Sequence, residues 1–295
     1  MPDAHIALLV DSETNKSFDA PKRKKLLCYI DELISIDIDF KYTPVQRSRI
    51  LKTSARKYIK GDFLFLDTDT VLTGTLYEID NFQFNLGAVS DLHQYLDVHF
   101  TRKTILKQLK KAFNYKPLSV KYYFNSGVIF AKDNKDVHSF YDRWNSLWLN
   151  GLSKGLYRDQ LSLLITNEEL KHPIIEMDGI YNVQLTMSLK YFPESKILHY
   201  FNMHRNSISP VFTEGFLDIV KSKGYIDIKL KDQIINCKKI FNTPSIIITD
   251  DDAIVYNDPI FYSIMDVYRH NKTAYQILSF GIRLYKLLIK VIIPN

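Results

Sequence analysis

Segments with a strand-like apolar pattern alternate with segments of helical spacing along the first two-thirds of the chain. In the first helical segment, apolar side chains recur every three or four residues, at Leu26, Leu27, Ile30 and Leu33. The pattern predicts, in order, a strand at Ile6–Val10, a helix at Pro21–Ile34, a strand at Ile36–Phe40, a helix at Pro44–Ile59 and a strand at Phe63–Leu66. This βαβαβ order is typical of an α/β fold with a mainly parallel sheet flanked by helices.

The pattern continues with further helices and short strands and then changes. The later elements that it predicts are helices at Thr101–Phe113 and Val137–Leu149 and strands at Val128–Ala131, Ile174–Glu176 and Ile197–Tyr200. After about residue 206 the alternation gives way to mostly helical patterns. We therefore expect a core domain over residues 1–205 and a mostly helical C-terminal extension over residues 206–295.

Composition fits a globular protein and sets few limits on its partners. The 295 residues are 46% hydrophobic, and the net charge of +6 permits anionic partners such as nucleotides, phosphosugars or an acidic membrane surface. Only Cys28 and Cys237 are present, so neither a disulfide scaffold nor a zinc site is indicated. We expect a cytoplasmic protein, because the sequence has no signal peptide and no uncharged apolar run of about 18 residues.

The stretch that carries most chemistry is Phe63-Leu-Phe-Leu-Asp67-Thr-Asp69. Side chains alternate along a strand, so Asp67 and Asp69 should aim both carboxylates at one place just past the strand's carboxyl end. Ligands of open α/β sheets bind at that edge. Two adjacent carboxylates repel unless a proton or a cation lies between them, so the pair suits a hard divalent metal that carries phosphate.

Three later pieces carry polar groups where ligands commonly bind. Phe124-Asn125-Ser126-Gly127-Val128 is interpreted as a polar turn, whose glycine lets the backbone approach a ligand closely. Asp159-Gln160 opens a helix, where an aspartate suits the N-terminal dipole. His199 ends a short strand. Taken singly, the three also fit a plain turn, a helix cap and a buried histidine, so their meaning depends on their combination.

The four pieces together, in this order, resemble glycosyltransferase family 8, the retaining enzymes that include glycogenin and bacterial lipopolysaccharide galactosyltransferases. The resemblance covers roughly residues 4–205 and implies a GT-A (Rossmann-like) fold. It also implies that Asp67, Asp69 and His199 hold manganese or magnesium on a nucleotide diphosphate. His204 lies close enough in sequence to compete with His199 as a ligand.

The resemblance also implies residues that bind the sugar substrates. The donor-binding residues are Lys52, Asp91, Asn125, Ser126, Asp159 and Gln160, with Arg49 one turn from Lys52. Asp159 and Gln160 are the implied catalytic pair, and Asn182 is the implied acceptor contact. The family places a glycine and a lysine after the metal-binding histidine. Both are absent after His199, where Arg205 is the residue that can supply the charge.

The implied activity is metal-dependent transfer of a hexose, with retention, from a UDP-linked sugar to a glycan or glycolipid acceptor, as in lipopolysaccharide biosynthesis. The metal would neutralise charge on the departing diphosphate. No nucleic-acid partner is expected, because the basic helix at residues 101–113 lacks interleaved aromatic residues. Family members carry a strand before the counterpart of Pro2, and we expect that strand to be missing because no residues before Ile6 supply it.

Two other functions remain open. The stretch that ends in Asp67 and Asp69 also resembles the first motif of haloacid dehalogenase phosphatases, in which Asp67 would be the nucleophile and Asp69 the acid/base. Ile246–Thr249 and Lys272 match later phosphatase elements, but no acidic residue follows Lys272 and the 124–128 and 159–160 motifs are left unexplained. A truncated, inactive transferase is the other alternative, motivated by the expected missing strand.

Two C-terminal features complete the sequence analysis. Asp250-Asp251-Asp252 is acidic, but we interpret it as a turn because no partner motif accompanies it. Tyr275–Ile293 predicts an amphipathic helix with basic residues roughly on one face, at Arg283, Lys286 and Lys290. Such a helix fits peripheral contact with an anionic membrane surface as well as packing on its own domain.

Overall fold

A computed structural model of the chain describes residues 4–117, 120–184, 189–200, 214–236 and 259–292. The chain forms two compact units, residues 1–242 and residues 243–295. The first unit combines strands and helices, so the α/β class is confirmed, and the described part of the second unit is helical. The domain boundary expected at residue 205 falls in residues 201–213, outside the described residues.

The elements alternate along the first unit. Its described strands are β1 (Ala7–Asp11), β2 (Glu32–Ile36), β3 (Phe63–Leu66), β4 (Thr70–Leu72), β5 (Leu86–Ser90), β6 (Phe124–Ala131), β7 (Ile174–Glu176), β8 (Val183–Gln184) and β9 (Ile197–His199). Its described helices are α1 (Ser12–Lys16), α2 (Pro21–Lys24), α3 (Pro44–Thr53), α4 (Arg102–Phe113), α5 (Lys135–Ser153), α6 (Gln160–Glu169), α7 (Glu214–Lys223) and α8 (Ile228–Asn236). Short 3₁₀ turns lie at Ser17–Asp19, Lys25–Tyr29, Ala55–Lys57, Tyr77–Asn81, Asp91–His93, Gly179–Tyr181 and Leu189–Tyr191.

The central sheet has the strand order β3-β6-β5-β7. β6 is antiparallel to both β3 and β5, whereas β5 and β7 are parallel. The expectation of a mainly parallel sheet is therefore wrong for these four strands. The reason lies in the connection between β5 and β6, which leaves and re-enters the sheet at the same end, since Ser90 pairs with Phe124. The strand that follows such a connection must run in the opposite direction.

Two smaller sheets contain the remaining described strands. β1 and β2 form a parallel pair. The other sheet has the order β4-β9-β8, in which β4 is antiparallel and β8 parallel to β9. In this sheet Thr70 lies opposite His199. The pairing therefore brings the end of β9 to the residues that directly follow the Asp67-Thr-Asp69 motif.

The core of the first unit lies on both faces of the central sheet. Every residue of β6 is buried. Ile129 packs in a cluster with Trp144 of α5, whereas Val128 and Phe130 pack in a second cluster with Val89 of β5. Alternate residues of a strand face opposite sides, so the two clusters mark the two faces of the sheet. This double cover places the polar residues at the start of β6 in the interior.

Helix α3 begins at a strong N-terminal signal. The hydroxyl of Thr43 accepts a hydrogen bond from Gln46 N–H, and the side chain of Gln46 accepts one from Thr43 N–H, which is a capping box. Pro44 occupies the first turn, where it is tolerated. The predicted helix at Pro44–Ile59 is confirmed as far as Thr53 and continues in a 3₁₀ turn. From α3, Arg49 and Lys52 reach Asp67, the residue that follows β3.

The predicted helix at Pro21–Ile34 is wrong beyond its first turns. α2 ends at Lys24, and residues 32–36 form β2, in which Leu33 pairs with Leu8 of β1. The strand predicted at Ile36–Phe40 is accordingly displaced along the chain. The apolar residues in this region fit a helical face as well as a strand, and the partner strand decides between the two. Periodicity within one segment contains no information about that partner.

The second unit is described over two helices, α9 (Pro259–His270) and α10 (Lys272–Ile292). The helix predicted at Tyr275–Ile293 is confirmed within α10. Ile277 and Phe280 on α10 are each 69% exposed. No helix among the described residues combines the length and the apolarity needed to cross a membrane.

Candidate metal and donor site

Asp67 and Asp69 converge with His199 where β3 ends. One ligand atom from each residue lies within 4.8 Å of the other two. The convergence agrees with the sequence prediction, but the argument from strand alternation is wrong. β3 ends at Leu66, so both aspartates lie in the turn that leads to β4. The turn, rather than a strand, brings the two carboxylates together.

Hydrogen bonds to the backbone fix this turn. Asp67 N–H donates to Gly127 O at 2.8 Å. Thr70 donates to Asp67 O from its N–H at 3.2 Å and from its hydroxyl at 2.8 Å. Tyr200 N–H donates to Asp69 O at 2.9 Å. The turn is therefore tied to β6 on one side and to the end of β9 on the other.

The imidazole of His199 lies against Gly127. A Cβ on residue 127 would lie 2.2 Å from His199 Cε1 and 2.9 Å from each ring nitrogen. Residues 124–127 are the first half of β6, so the polar turn predicted there is wrong. A buried strand replaces the turn because its polar side chains find partners inside the protein. The glycine makes room for a side chain of the same chain, where the sequence suggested room for a ligand.

The neighbours of the His199 ring include Asn182 and Asp69. Its Nδ1 lies 3.0 Å from Asn182 Oδ1, and its Nε2 lies 3.2 Å from Asp69 Oδ1. Burial raises the pKa of Asp69, but the hydrogen bond and the charge of His199 outweigh burial and hold that pKa below its ordinary value. The carboxylate form of Asp69 is therefore favoured next to the imidazole.

This donor set fits a divalent cation. Metal–oxygen bonds of about 2.0–2.6 Å place ligands of one ion up to about 4–5 Å apart, which is compatible with the observed spread of 4.8 Å. Two carboxylates and one imidazole suit Mn²⁺ at least as well as Mg²⁺. Three protein ligands would also leave coordination positions for the oxygens of a phosphate group.

Two cations on α3 connect the metal cluster with Asp159. Lys52 Nζ lies 2.7 Å from Asp67 Oδ2 and 4.0 Å from Asp159 Oδ2. Arg49 reaches Asp67 Oδ2 with Nη1 at 3.8 Å and Asp159 Oδ1 with Nε at 3.5 Å. The side chain of Lys52 is 2% exposed, and the hydroxyl of Ser126 lies 3.5 Å from its Nζ. The structure therefore brings Arg49 into the site as fully as Lys52.

Asp159 faces this pair of cations from the start of α6. Burial raises its pKa, but the charges of Lys52 and Arg49 outweigh burial and keep the pKa below its ordinary value. Its side chain makes no helix-capping hydrogen bond, so the helix-cap interpretation is wrong. Among the described residues, no hydrogen-bond donor reaches its buried Oδ2. An unsatisfied buried carboxylate oxygen is a group that a substrate hydroxyl can satisfy.

Asp91 forms hydrogen bonds with several of the other predicted residues. Its Oδ1 accepts hydrogen bonds from Asn125 Nδ2 and Gln160 Nε2, both at 2.9 Å. Its Oδ2 lies 3.2 Å from His99 Nε2. Asn182, which is fully buried, donates from Nδ2 to Asn125 Oδ1 at 3.1 Å. The structure thus joins these residues in one network with His199, and their substrate contacts stay predictions.

Sequence reasoning missed several partners of the site. Asp11, at the end of β1, forms a buried ion pair with Arg47 of α3, with Nε and Oδ2 2.6 Å apart. Trp144 donates from Nε1 to Asp159 O at 3.1 Å. His99 pairs with Asp91. The aspartate at a strand end is a sequence signal for Asp11, whereas no local motif indicates the other two contacts.

Some predicted features lie elsewhere. His204, Arg205, Ile246–Thr249 and Asp250–Asp252 lie outside the described residues. Lys272 begins α10 in the second unit.

A cavity of about 530 Å³ is lined in part by His93, which lies two residues along the chain from Asp91. Its lining includes the aromatic rings of Tyr95 and Tyr191 and the carboxyl groups of Glu176 and Asp178. His93 packs against Tyr191 with ring centroids 4.5 Å apart and the ring planes tilted by 34°. Burial lowers the pKa of His93 to about 4, so its ring is neutral. The cavity therefore combines aromatic surface with polar groups that can bind hydroxyls.

Comparisons with known proteins give structural likeness only. No protein-family model matches the chain, and no curated protein matches it. The galactosyltransferase LgtC, solved in complex with donor and acceptor sugar analogues, is 16% identical and has a TM-score of 0.47, covering 77% of this chain and 88% of its own. Mouse xyloside xylosyltransferase 1 in its apo form is 15% identical with a TM-score of 0.43, covering 67% of this chain and 84% of its own. The glycosyltransferase GlyE of Streptococcus pneumoniae TIGR4 is 17% identical with a TM-score of 0.43, covering 79% of this chain and 63% of its own. At these values the likenesses assign neither an activity nor a residue role to this chain.

Proposed function

We propose that the protein is a metal-dependent, retaining glycosyltransferase that moves a hexose from a UDP-linked sugar to a glycan or glycolipid. The observation that carries the proposal is the link from the Asp67–Asp69–His199 cluster through Lys52 and Arg49 to the buried carboxylate of Asp159. A nucleotide sugar needs these parts in this order: a cation site for its diphosphate, basic groups beside it, and a polar group for the sugar.

The candidate residues have different proposed roles at the donor. Asp67, Asp69 and His199 would hold Mn²⁺ or Mg²⁺, which supplies charge neutralisation for the diphosphate when bound. Lys52 and Arg49 reach the same place from α3 and are positioned to bind phosphate oxygens. The unsatisfied Oδ2 of Asp159 accepts a hydrogen bond from a hydroxyl of the donor sugar. Gln160, which bonds Asp91, borders this position.

Transfer with retention is proposed as one balanced step. The bond between the anomeric carbon and the phosphate oxygen breaks, and its electron pair leaves with the nucleoside diphosphate. The acceptor oxygen bonds to the anomeric carbon on the same face, and its proton passes to the departing phosphate oxygen. The buried carboxylate of Asp159 stabilises the positive charge that develops on the sugar ring.

The cavity lined by His93 and Tyr191 is the proposed place for the acceptor. His93 lies two residues along the chain from Asp91, and the aromatic and carboxyl groups of the cavity suit the faces and hydroxyls of a sugar. Truncating Tyr191 to alanine should raise the KM for the acceptor several-fold, with slow hydrolysis of the donor unchanged. An unchanged acceptor KM would remove this assignment.

One assay tests the activity. UDP release is measured over a panel of UDP-sugars with Mn²⁺, with and without EDTA, in the presence of glycan acceptors. We expect release that needs the metal, and its loss in the Asp159→Asn variant with nucleotide binding retained. Asp142→Asn, an exposed aspartate on α5, is the matched control and should leave the rate unchanged. Phosphate release from sugar phosphates without UDP release would favour the phosphatase alternative, and no turnover of any sugar would favour the inactive transferase.

We also propose that α10 contacts an anionic membrane surface. The helix carries four basic residues and no acidic residue, and Ile277 and Phe280 are strongly exposed. Flotation with phosphatidylglycerol vesicles tests the contact. The double variant Ile277→Ser/Phe280→Ser should abolish binding, whereas Ile228→Ser, at a still more exposed position on α8, should not. Equal flotation of all three proteins would exclude a role for α10.

A further inference from the structure

We propose that Asn182 and Asn125 are positioning residues that hold His199 with Nδ1 protonated and Nε2 turned toward Asp69. The inference deepens the proposed function, on which it rests for the role of His199. It concerns the side chains beneath the metal cluster, whose hydrogen bonds form a directed chain from Asp91 to His199.

The direction of the chain is fixed at its first amide by two independent contacts. A carboxylate can only accept, so Asn125 must turn its Nδ2 to Asp91 Oδ1, 2.9 Å away. A backbone N–H can only donate, so the Gly127 N–H, 2.9 Å from Asn125 Oδ1, requires an oxygen at that position. Both contacts select the same orientation of the amide of Asn125.

The orientation of Asn125 determines that of Asn182. The oxygen of Asn125 lies 3.1 Å from Asn182 Nδ2, so Asn182 donates at this contact. Its remaining atom, Oδ1, then faces His199 Nδ1 at 3.0 Å and can only accept. Nδ1 of His199 must therefore carry a proton. Nε2 is thereby the nitrogen presented to Asp69 and to a metal held there.

Burial makes this selection strict. Asn125 is 4% exposed, Asn182 is 0% exposed and His199 is 2% exposed. A flipped amide would place oxygen against oxygen and leave a donor without an acceptor, in a place where water has little access. Groups that bond the second nitrogen of a metal-binding histidine commonly change metal affinity about 10–100-fold when removed.

The first test measures Mn²⁺ affinity by electron paramagnetic resonance, without any nucleotide sugar. Asn182→Leu, which keeps the volume but removes both hydrogen-bonding atoms, should weaken Mn²⁺ binding about 10–100-fold. Asn182→Asp keeps an acceptor for Nδ1 and should retain more of the affinity than the leucine variant. Asn167→Leu, which removes a buried amide that accepts from Ile174 N–H, should leave the Mn²⁺ affinity within about twofold of wild type.

A second measurement reads the tautomer in the unaltered protein, and a variant serves only to identify the resonance. In protein labelled with ¹⁵N-histidine and loaded with ¹¹³Cd²⁺, the metal should couple to Nε2 of His199, with a bonded proton on Nδ1. The His199→Gln variant identifies the resonance. Coupling to Nδ1, or wild-type Mn²⁺ affinity in Asn182→Leu, would overturn the proposal.

These readouts separate the positioning role from the transferase activity. Weakened Mn²⁺ binding in Asn182→Leu supports the positioning role even if no sugar is transferred. Active transfer together with unchanged Mn²⁺ affinity in that variant would overturn the positioning role alone. Failure of the wild-type protein to bind Mn²⁺ or Cd²⁺ would overturn both.

Discussion

Replacing Gly127 with alanine is a sharp test of the packing at the metal cluster. The added Cβ would lie 2.2 Å from His199 Cε1 and 2.9 Å from both ring nitrogens. Carbon atoms in contact lie about 3.5–4.0 Å apart, so the imidazole would have to move by about 1.5 Å. Gly127 is not among the residues with positive φ, so alanine strains no backbone angle and the effect comes from the side chain alone.

The ring of His199 cannot move so far without losing its contacts. Its Nδ1 is bonded to Asn182 at 3.0 Å, its Nε2 lies 3.2 Å from Asp69, and the residue is buried. Overpacking costs about 1–3 kcal/mol, and loss of the hydrogen bond to Asn182 about 1 kcal/mol more. We therefore expect Gly127→Ala to lower the free energy of unfolding by about 2–4 kcal/mol and to weaken Mn²⁺ binding by at least tenfold.

Urea denaturation in two backgrounds isolates the contact. In the His199→Ala background the added Cβ contacts no ring, so Gly127→Ala should cost little, and the coupling energy between the two positions should be about 2–4 kcal/mol. Gly281→Ala is the matched control, because nothing lies within 4 Å of its added Cβ. Placed within α10, it should leave stability unchanged or raise it by up to about 1 kcal/mol. An equal cost of Gly127→Ala in both backgrounds would refute the steric argument.

Three further predictions concern the charged side chains around the cluster. Asp11→Ala should lower the free energy of unfolding by about 3–5 kcal/mol because it leaves Arg47 buried without its partner, and adding Arg47→Met should restore most of the loss in urea denaturation. The cost of Asp11→Ala should also depend on pH. Burial raises the pKa of Asp11, but the hydrogen bonds from Arg47 and Thr14 and the charge of Arg47 together outweigh burial and keep that pKa below 3.8, so the cost should be constant above about pH 5 and shrink as the pH falls through the lowered pKa. Lys52→Met should tighten binding of bare Mn²⁺ about tenfold, since an ammonium group 2.7 Å from Asp67 competes for the same carboxylate, and weaker binding in calorimetry would contradict this competition.

The residues of the site were more predictable than the way they pack. Asp67, Asp69 and His199 could be grouped because the order of the four polar pieces resembles that of glycosyltransferase family 8. The contact of His199 with Gly127 could not be predicted, because it depends on strand pairing in two different sheets at once. Asp67 N–H donates to Gly127 O of β6 in the central sheet, whereas Thr70 pairs with His199 in the β4-β9-β8 sheet. No motif encodes the relative placement of two sheets.

The fold shows the same division between local signals and partner choice. The helix at Pro44 was predictable because its proline and capping box are local. The strand at residues 32–36 was not, because its apolar residues also fit a helix and the pairing of Leu33 with Leu8 decides. The polar start of β6 predicts a turn, since buried asparagine is unusual in a strand. Its amides are tolerated there because Asp91 and Asn182 satisfy them.

The balance of charge in the site gives a reason for metal and nucleotide to bind together. Asp67, Asp69 and Asp159 face Lys52 and Arg49, so the side chains alone leave little excess charge of either sign. A divalent cation added alone is repelled by the two basic groups, and a diphosphate added alone is repelled by the carboxylates. Added together they neutralise each other, so each should raise the affinity of the other by the same factor. Mn²⁺ titrations with and without UDP should therefore give reciprocal increases of about 5–150-fold, and independent binding of the two would contradict a shared site.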